Sequence, residues 1–108
     1  VKIVFTINGI IWDVVFVPPN SNKLRRSDNS VTCGVCDFGD RCIYLSDMLQ
    51  GAFLRKVFIH EVCHSAVFSY SISLSISQEE FLCDFIATYG DEIFSIVDDL
   101  FMALKRIA

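Results

Sequence analysis

The order of patterns along this chain predicts an α+β domain, a small antiparallel-containing sheet of about three strands packed on about three helices. Two observations carry that expectation. Apolar, β-branched runs fill the first seventeen residues on either side of Asn8-Gly9, and apolar residues at helical spacing dominate from Ala52 to the end. A third bounds it: 108 residues amount to one domain, with no internal repeat, low-complexity tract or long linker to divide residues 1–108.

The elements follow in order. Lys2 to Ile7 and Ile10 to Val17 read as two strands, and Asn8-Gly9 between them is the strongest short hairpin signal, so residues 1–17 form a β-hairpin. Pro18-Pro19 ends the second strand, since proline cannot donate to a ladder. Asn20 to Ser30 is a polar loop, and Val31 to Phe38 is ambiguous. Arg41 to Leu45 reads as a third strand, and Ser46-Asp47 after it is a helix-start signal. Residues 52–69 carry Phe53, Leu54, Val57, Phe58, Val62, Ala66 and Val67 at helical spacing. Ser71 to Ser77 alternates Ser with Ile or Leu and reads as a turn or short extended connector. Residues 77–107 hold two further helices that part near Gly90, the second with Ile93, Ile96, Val97, Leu100 and Leu104 on one face.

Composition excludes several classes. The net charge is −4, and the basic residues fall in small scattered groups, so no basic face for nucleic acid is expected. No apolar run is long and unbroken enough to span a membrane, and no charged n-region with an apolar stretch and cleavage site appears. Hydrophobic residues make up 53% of the chain, a surplus that suggests apolar surface meeting a partner or a substrate. Five cysteines, an odd number without a secretory signal, point to reduced thiols and a cytoplasmic protein. Cys33-Gly-Val-Cys36 has CxxC spacing but no second pair to close a zinc site.

The chain's only two histidines, His60 and His64, flank Glu61-Val62-Cys63. Four residues is just over one helical turn, so both imidazoles leave the same helix face and offer half of a tetrahedral zinc shell. Glu61 lies beside His60, within reach of a zinc-bound water whose proton it can remove as general base. Chance produces HExxH in a chain this long on the order of a few times per thousand. Downstream, Glu80 and Asp84 are four apart on one face, and Glu80 is preferred over Glu79 and Asp84 as the third ligand because of that pairing. Asp84 then accepts a hydrogen bond from a ligand histidine. The competing role for Glu80 is a capping box with Ser77 as N-cap. Tyr44, Tyr70 and Tyr89 are the candidates to stabilise an oxyanion, and Ile43 to Leu45 is a candidate edge strand for an extended peptide.

HEVCH followed by Glu80-x-x-x-Asp84 is similar to the gluzincin pattern. Glu80-Phe-Leu-Cys-Asp-Phe-Ile-Ala87 resembles the ExxANxFA signature of ImmA/IrrE-type metallopeptidases, with Cys83 and Ile86 in place of the usual Ala and Phe. The resemblance spans Arg41 to Ile93. It implies a minimal zincin-like fold, zinc held by His60, His64 and Glu80, and hydrolysis of a peptide bond in a protein or peptide substrate. It also implies a phage or mobile-element protein, with a repressor-like regulator as target. The alternative is a metal-stabilised interaction or regulatory protein of such an element, without turnover.

Overall fold

A computed structural model describes residues 2–107. It is an α+β structure with a four-stranded mixed sheet and two helices: β1 (Lys2–Ile7), β2 (Ile10–Val17), β3 (Gly34–Asp37), β4 (Cys42–Ser46), α1 (Gly51–Ser69) and α2 (Ile76–Ile107). The strands lie in the order β1-β2-β4-β3. β1 and β2 form the expected hairpin, with Ile7 opposite Ile10. Both turn residues take left-handed backbone, Asn8 at φ 50° and Gly9 at φ 76°, as a two-residue turn requires.

Three expectations need correction here. There are four strands, because the ambiguous stretch supplies β3, which pairs antiparallel with β4. β3 has four residues, one of them glycine, too few for an alternation to show. β4 runs one residue later than the expected 41–45 and pairs parallel with β2, so it is interior and cannot be the edge strand. The free edge on that side of the sheet belongs to β3. Finally, residues 77–107 hold one helix and not two: α2 continues through Gly90 for 32 residues. A single glycine costs a helix about 1 kcal/mol, which the flanking turns easily outweigh. Just beyond it, the Asp91 carboxylate accepts from both Nε and Nη2 of Arg55 at 2.8 and 2.7 Å, which ties α2 to α1.

The core lies between one sheet face and α1. Val14, Ile43 and Leu45 are fully buried there, and Phe5, Phe16, Leu54, Val57, Phe58 and Val62 pack around them. Trp12 is also fully buried and donates from Nε1 to Ser69 Oγ at 2.9 Å, while Asn8 Nδ2 donates to the Ser69 carbonyl at 3.0 Å. The hairpin is thereby fastened to the last turn of α1. That helix ends at Tyr70 with Ser71 at φ 54°. The Ser71 N–H donates to the Phe68 carbonyl and the Ile72 N–H to that of Val67, the paired bonds of a Schellman stop.

The start of α2 decides what Glu80 can do. Ser75 Oγ accepts from the Gln78 N–H at 3.2 Å and Gln78 Oε1 accepts from the Ser75 N–H at 2.9 Å. The capping box is therefore Ser75 with Gln78, two residues earlier than the expected Ser77 with Glu80. Glu80 is released from capping and sits two residues further in than Gln78, on the side facing α1. Similarly, Ser46 Oγ accepts from Met48 N–H in a turn, and α1 begins only at Gly51 with no side-chain cap.

Candidate metal centre

α1 places His60, Glu61 and His64 on its inner side, where Glu61 and His64 are buried. α2 brings Glu79, Glu80 and Asp84 against them. His60 Nε2 and His64 Nε2 are 3.1 Å apart. Glu80 completes a triangle, with one oxygen 3.1 Å from His64 Nε2 and the other 3.4 Å from His60 Nε2. One carboxylate oxygen of Glu61 and a ring nitrogen of each histidine all lie within 4.8 Å of one another.

The other nitrogen of each ring is also held. His60 Nδ1 lies 2.9 Å from an Asp84 oxygen and His64 Nδ1 2.5 Å from a Glu79 oxygen. An ionised carboxylate only accepts, so each Nδ1 carries the proton. In neutral imidazoles the two Nε2 atoms then present lone pairs, and these converge with an anionic carboxylate. Three electron-rich atoms at this spacing repel unless a cation, a proton or a metal ion, sits among them. Zinc–nitrogen bonds of about 2.0–2.1 Å in a tetrahedron set neighbouring donors about 3.3 Å apart, so the donor set and its spacing fit zinc.

The five residues picked from the sequence are thus brought together. Three features of the same site were not. Glu79, passed over as the weaker rival to Glu80, holds His64. Its signal was present: it sits one position before Glu80, where the helix start can aim both side chains at α1. The second is β3. Gly34 is buried against α1, and a Cβ there would meet Val57 Cγ1 at 2.8 Å and Glu61 Cγ at 3.2 Å. This close approach sets the strand directly beside Glu61. The third is Arg26, which lines clefts on either side of Glu61. The first cleft, of about 310 Å³, is bounded by Gly34, Cys36, Glu61, His64, Glu79 and Glu80 among others. None of the three candidate tyrosines lines either cleft. Tyr44 instead donates its hydroxyl to Asp40 at 2.9 Å, and Tyr70 and Tyr89 are exposed.

Electrostatics follow from burial. Desolvation raises the Glu61 carboxyl above its ordinary range, opposed by positive charge on either histidine. Burial, with Glu61 and Glu79 nearby, pushes the Cys36 thiol up and keeps it neutral. No cysteine belongs to a metal-holding group among the described residues. The Cys63 thiol on α1 faces that of Cys83 on α2. The proximity of the two thiols lowers the Cys63 thiol and, with burial, raises the Cys83 thiol.

No helix among the described residues is long and apolar enough to cross a membrane. Comparison with family models, curated proteins and solved structures found no match to this chain.

Proposed function

We propose that this chain is a zinc-dependent peptidase of the ImmA/IrrE-like gluzincin kind, with a minimal zincin-like fold. The observation that supports it is the convergence of His60 Nε2, His64 Nε2 and Glu80 beside the buried Glu61, at a cleft bordered by a free sheet edge. His60, His64 and Glu80 hold the metal, and Asp84 and Glu79 fix the two imidazoles through Nδ1. Zinc, when bound, polarises a carbonyl and acidifies water. Glu61 takes the proton of the attacking water and returns it to the departing amine. Its burial favours that role, because a base whose pKa is raised toward the working pH both accepts and returns a proton efficiently. The substrate is an extended segment of a protein, laid along β3 as an added strand. Arg26 supplies the positive charge beside the carbonyl oxygen as negative charge develops there. By the resemblance of the motifs, the setting is the cytoplasm of a bacterium and the target a repressor-like regulator of the same mobile element.

A second reading, a metal-stabilised interaction protein without turnover, is favoured by one observation. The distal half of α2 exposes large apolar side chains of the kind that bind partners. One comparison separates the two. Glu61→Gln keeps the shape and removes the proton acceptor. Under the peptidase reading it retains one zinc per chain and loses about 10²–10⁴-fold in cleavage of a casein or peptide-library substrate. His60→Ala loses the metal as well. Parent protein that binds zinc yet cleaves nothing, including its captured partner, establishes the second reading.

A further inference from the structure

Beyond Asp91, α2 leaves the rest of the molecule. Residues 91–107 are all exposed, a free length of about 25 Å at 1.5 Å per residue, and the molecule is correspondingly elongated, 54 × 32 × 26 Å. This stretch is strongly one-sided. Ile93, Val97, Leu100, Leu104 and Ile107 follow one another at alternating spacings of four and three, the seam of a paired helix. Phe94 and Phe101 widen the stripe on one side and Ile96 on the other. Phe94 is 61% exposed, Leu100 57% and Ile107 79%. A solvated helix of this length with that face uncovered is not stable in isolation.

We propose that a second copy of this chain covers it, through antiparallel pairing of the two free helical segments. Area supports a dimer. The eight stripe residues offer on the order of 900 Å² of exposed surface per copy, against about 800 Å² per partner in a standard stable interface.

Charge selects the partner and its direction. The charges lie on the outer side of the helix and are divided by end: Asp91, Glu92, Asp98 and Asp99 toward its start, Lys105 and Arg106 at its finish. A parallel pair sets acidic end beside acidic end and basic beside basic. An antiparallel pair sets each basic end beside the acidic end of the other copy, so the long-range charge interaction favours it. Paired this way, Ile93 lies across from Leu104 and Val97 from Leu100. A membrane surface is the wrong occupant, because the polar face is mainly acidic where interfacial helices carry Lys and Arg.

Sedimentation equilibrium of the 108-residue chain over a wide concentration range tests this. A reversible dimer is expected, with or without zinc, so the result is independent of the peptidase reading. Leu100→Glu raises the dissociation constant at least about tenfold. Circular dichroism on the same variant confirms that the fold is kept, since Leu100 lies outside the core. Reversing the basic end, with Lys105→Glu and Arg106→Glu in one chain, weakens the dimer a few-fold at low salt. A monomer at all concentrations, a monomer that sediments with anionic phospholipid vesicles, or a dimer indifferent to Leu100→Glu overturns the proposal. A dimer indifferent to that charge reversal overturns the antiparallel arrangement.

Discussion

A histidine is a useful ligand only when its tautomer is fixed, and this site fixes two of them by the same device. Asp84 and Glu79 each accept a hydrogen bond from Nδ1–H, so that both Nε2 lone pairs turn inward together. The two carboxylates are not equivalent. The Asp84 side chain is 71% exposed and that of Glu79 only 21%. Water competes with Asp84 for the His60 proton far more than with Glu79 for that of His64. Glu79→Gln is therefore expected to cost more than Asp84→Asn, with zinc affinity falling about 10–100-fold at the former. Titration of each variant against a competing zinc chelator measures it, and equal losses at the two positions disprove the burial argument.

At the scale of elements, α2 does two jobs. Its first half supplies the acids that face α1, and its second half reaches into solvent. Gly90 lies at the change from one to the other, buried within a continuous helix. A Cβ there would meet only Ile86 Cγ2 at 3.4 Å and Phe94 Cε2 at 3.8 Å, ordinary contacts. Nothing in the backbone needs glycine at this point. Gly90→Ala is expected to stabilise the chain by roughly 0.5–1 kcal/mol through helix propensity, read as a higher midpoint in urea denaturation with the slope unchanged. Destabilisation would mean that α1 and α2 approach more closely at this position than ordinary contact allows. Gly34 is the opposite case: its Cβ has no room, because β3 must come close enough to flank Glu61.

For the whole molecule, the histidine–carboxylate cluster lies between α1 and α2, beside the buried and partly buried Leu82, Cys83, Ile86, Ala87 and Gly90 of α2. The core sits between the sheet and α1, while α2 is held by the acidic cluster, Cys83 and the Arg55 ion pair, which is solvent-exposed and therefore weak. If zinc is held there as proposed, stripping it leaves the converging donors of both helices without a cation and should loosen α2 from α1. Zinc at 100 times its dissociation constant adds about 2.7 kcal/mol to stability. A zinc-dependent rise in the melting temperature is expected, lost in His64→Ala. Hydrogen exchange should localise the metal-free loosening to residues 76–90, and uniform protection there with and without zinc refutes the coupling.

Local pattern was enough to determine the α+β order, the Asn8-Gly9 hairpin, the His60–Glu61–His64 face and the pairing of Glu80 with Asp84. Each depends only on turn chemistry or on the helical repeat, which few residues specify. What the sequence left open depends on partners far along the chain. Four residues cannot announce β3 as a strand until β4 lies beside them, and the parallel pairing of β2 with β4 is invisible to alternation. Tertiary structure alone selected Ser75 with Gln78 as the cap over Ser77 with Glu80. The two motifs are locally equivalent, and only the packing of α2 on α1 gives Glu80 the histidines as a better place for its charge. The continuity of α2 past Gly90 was decided the same way, by turns on both sides that are each more stable than one glycine is costly.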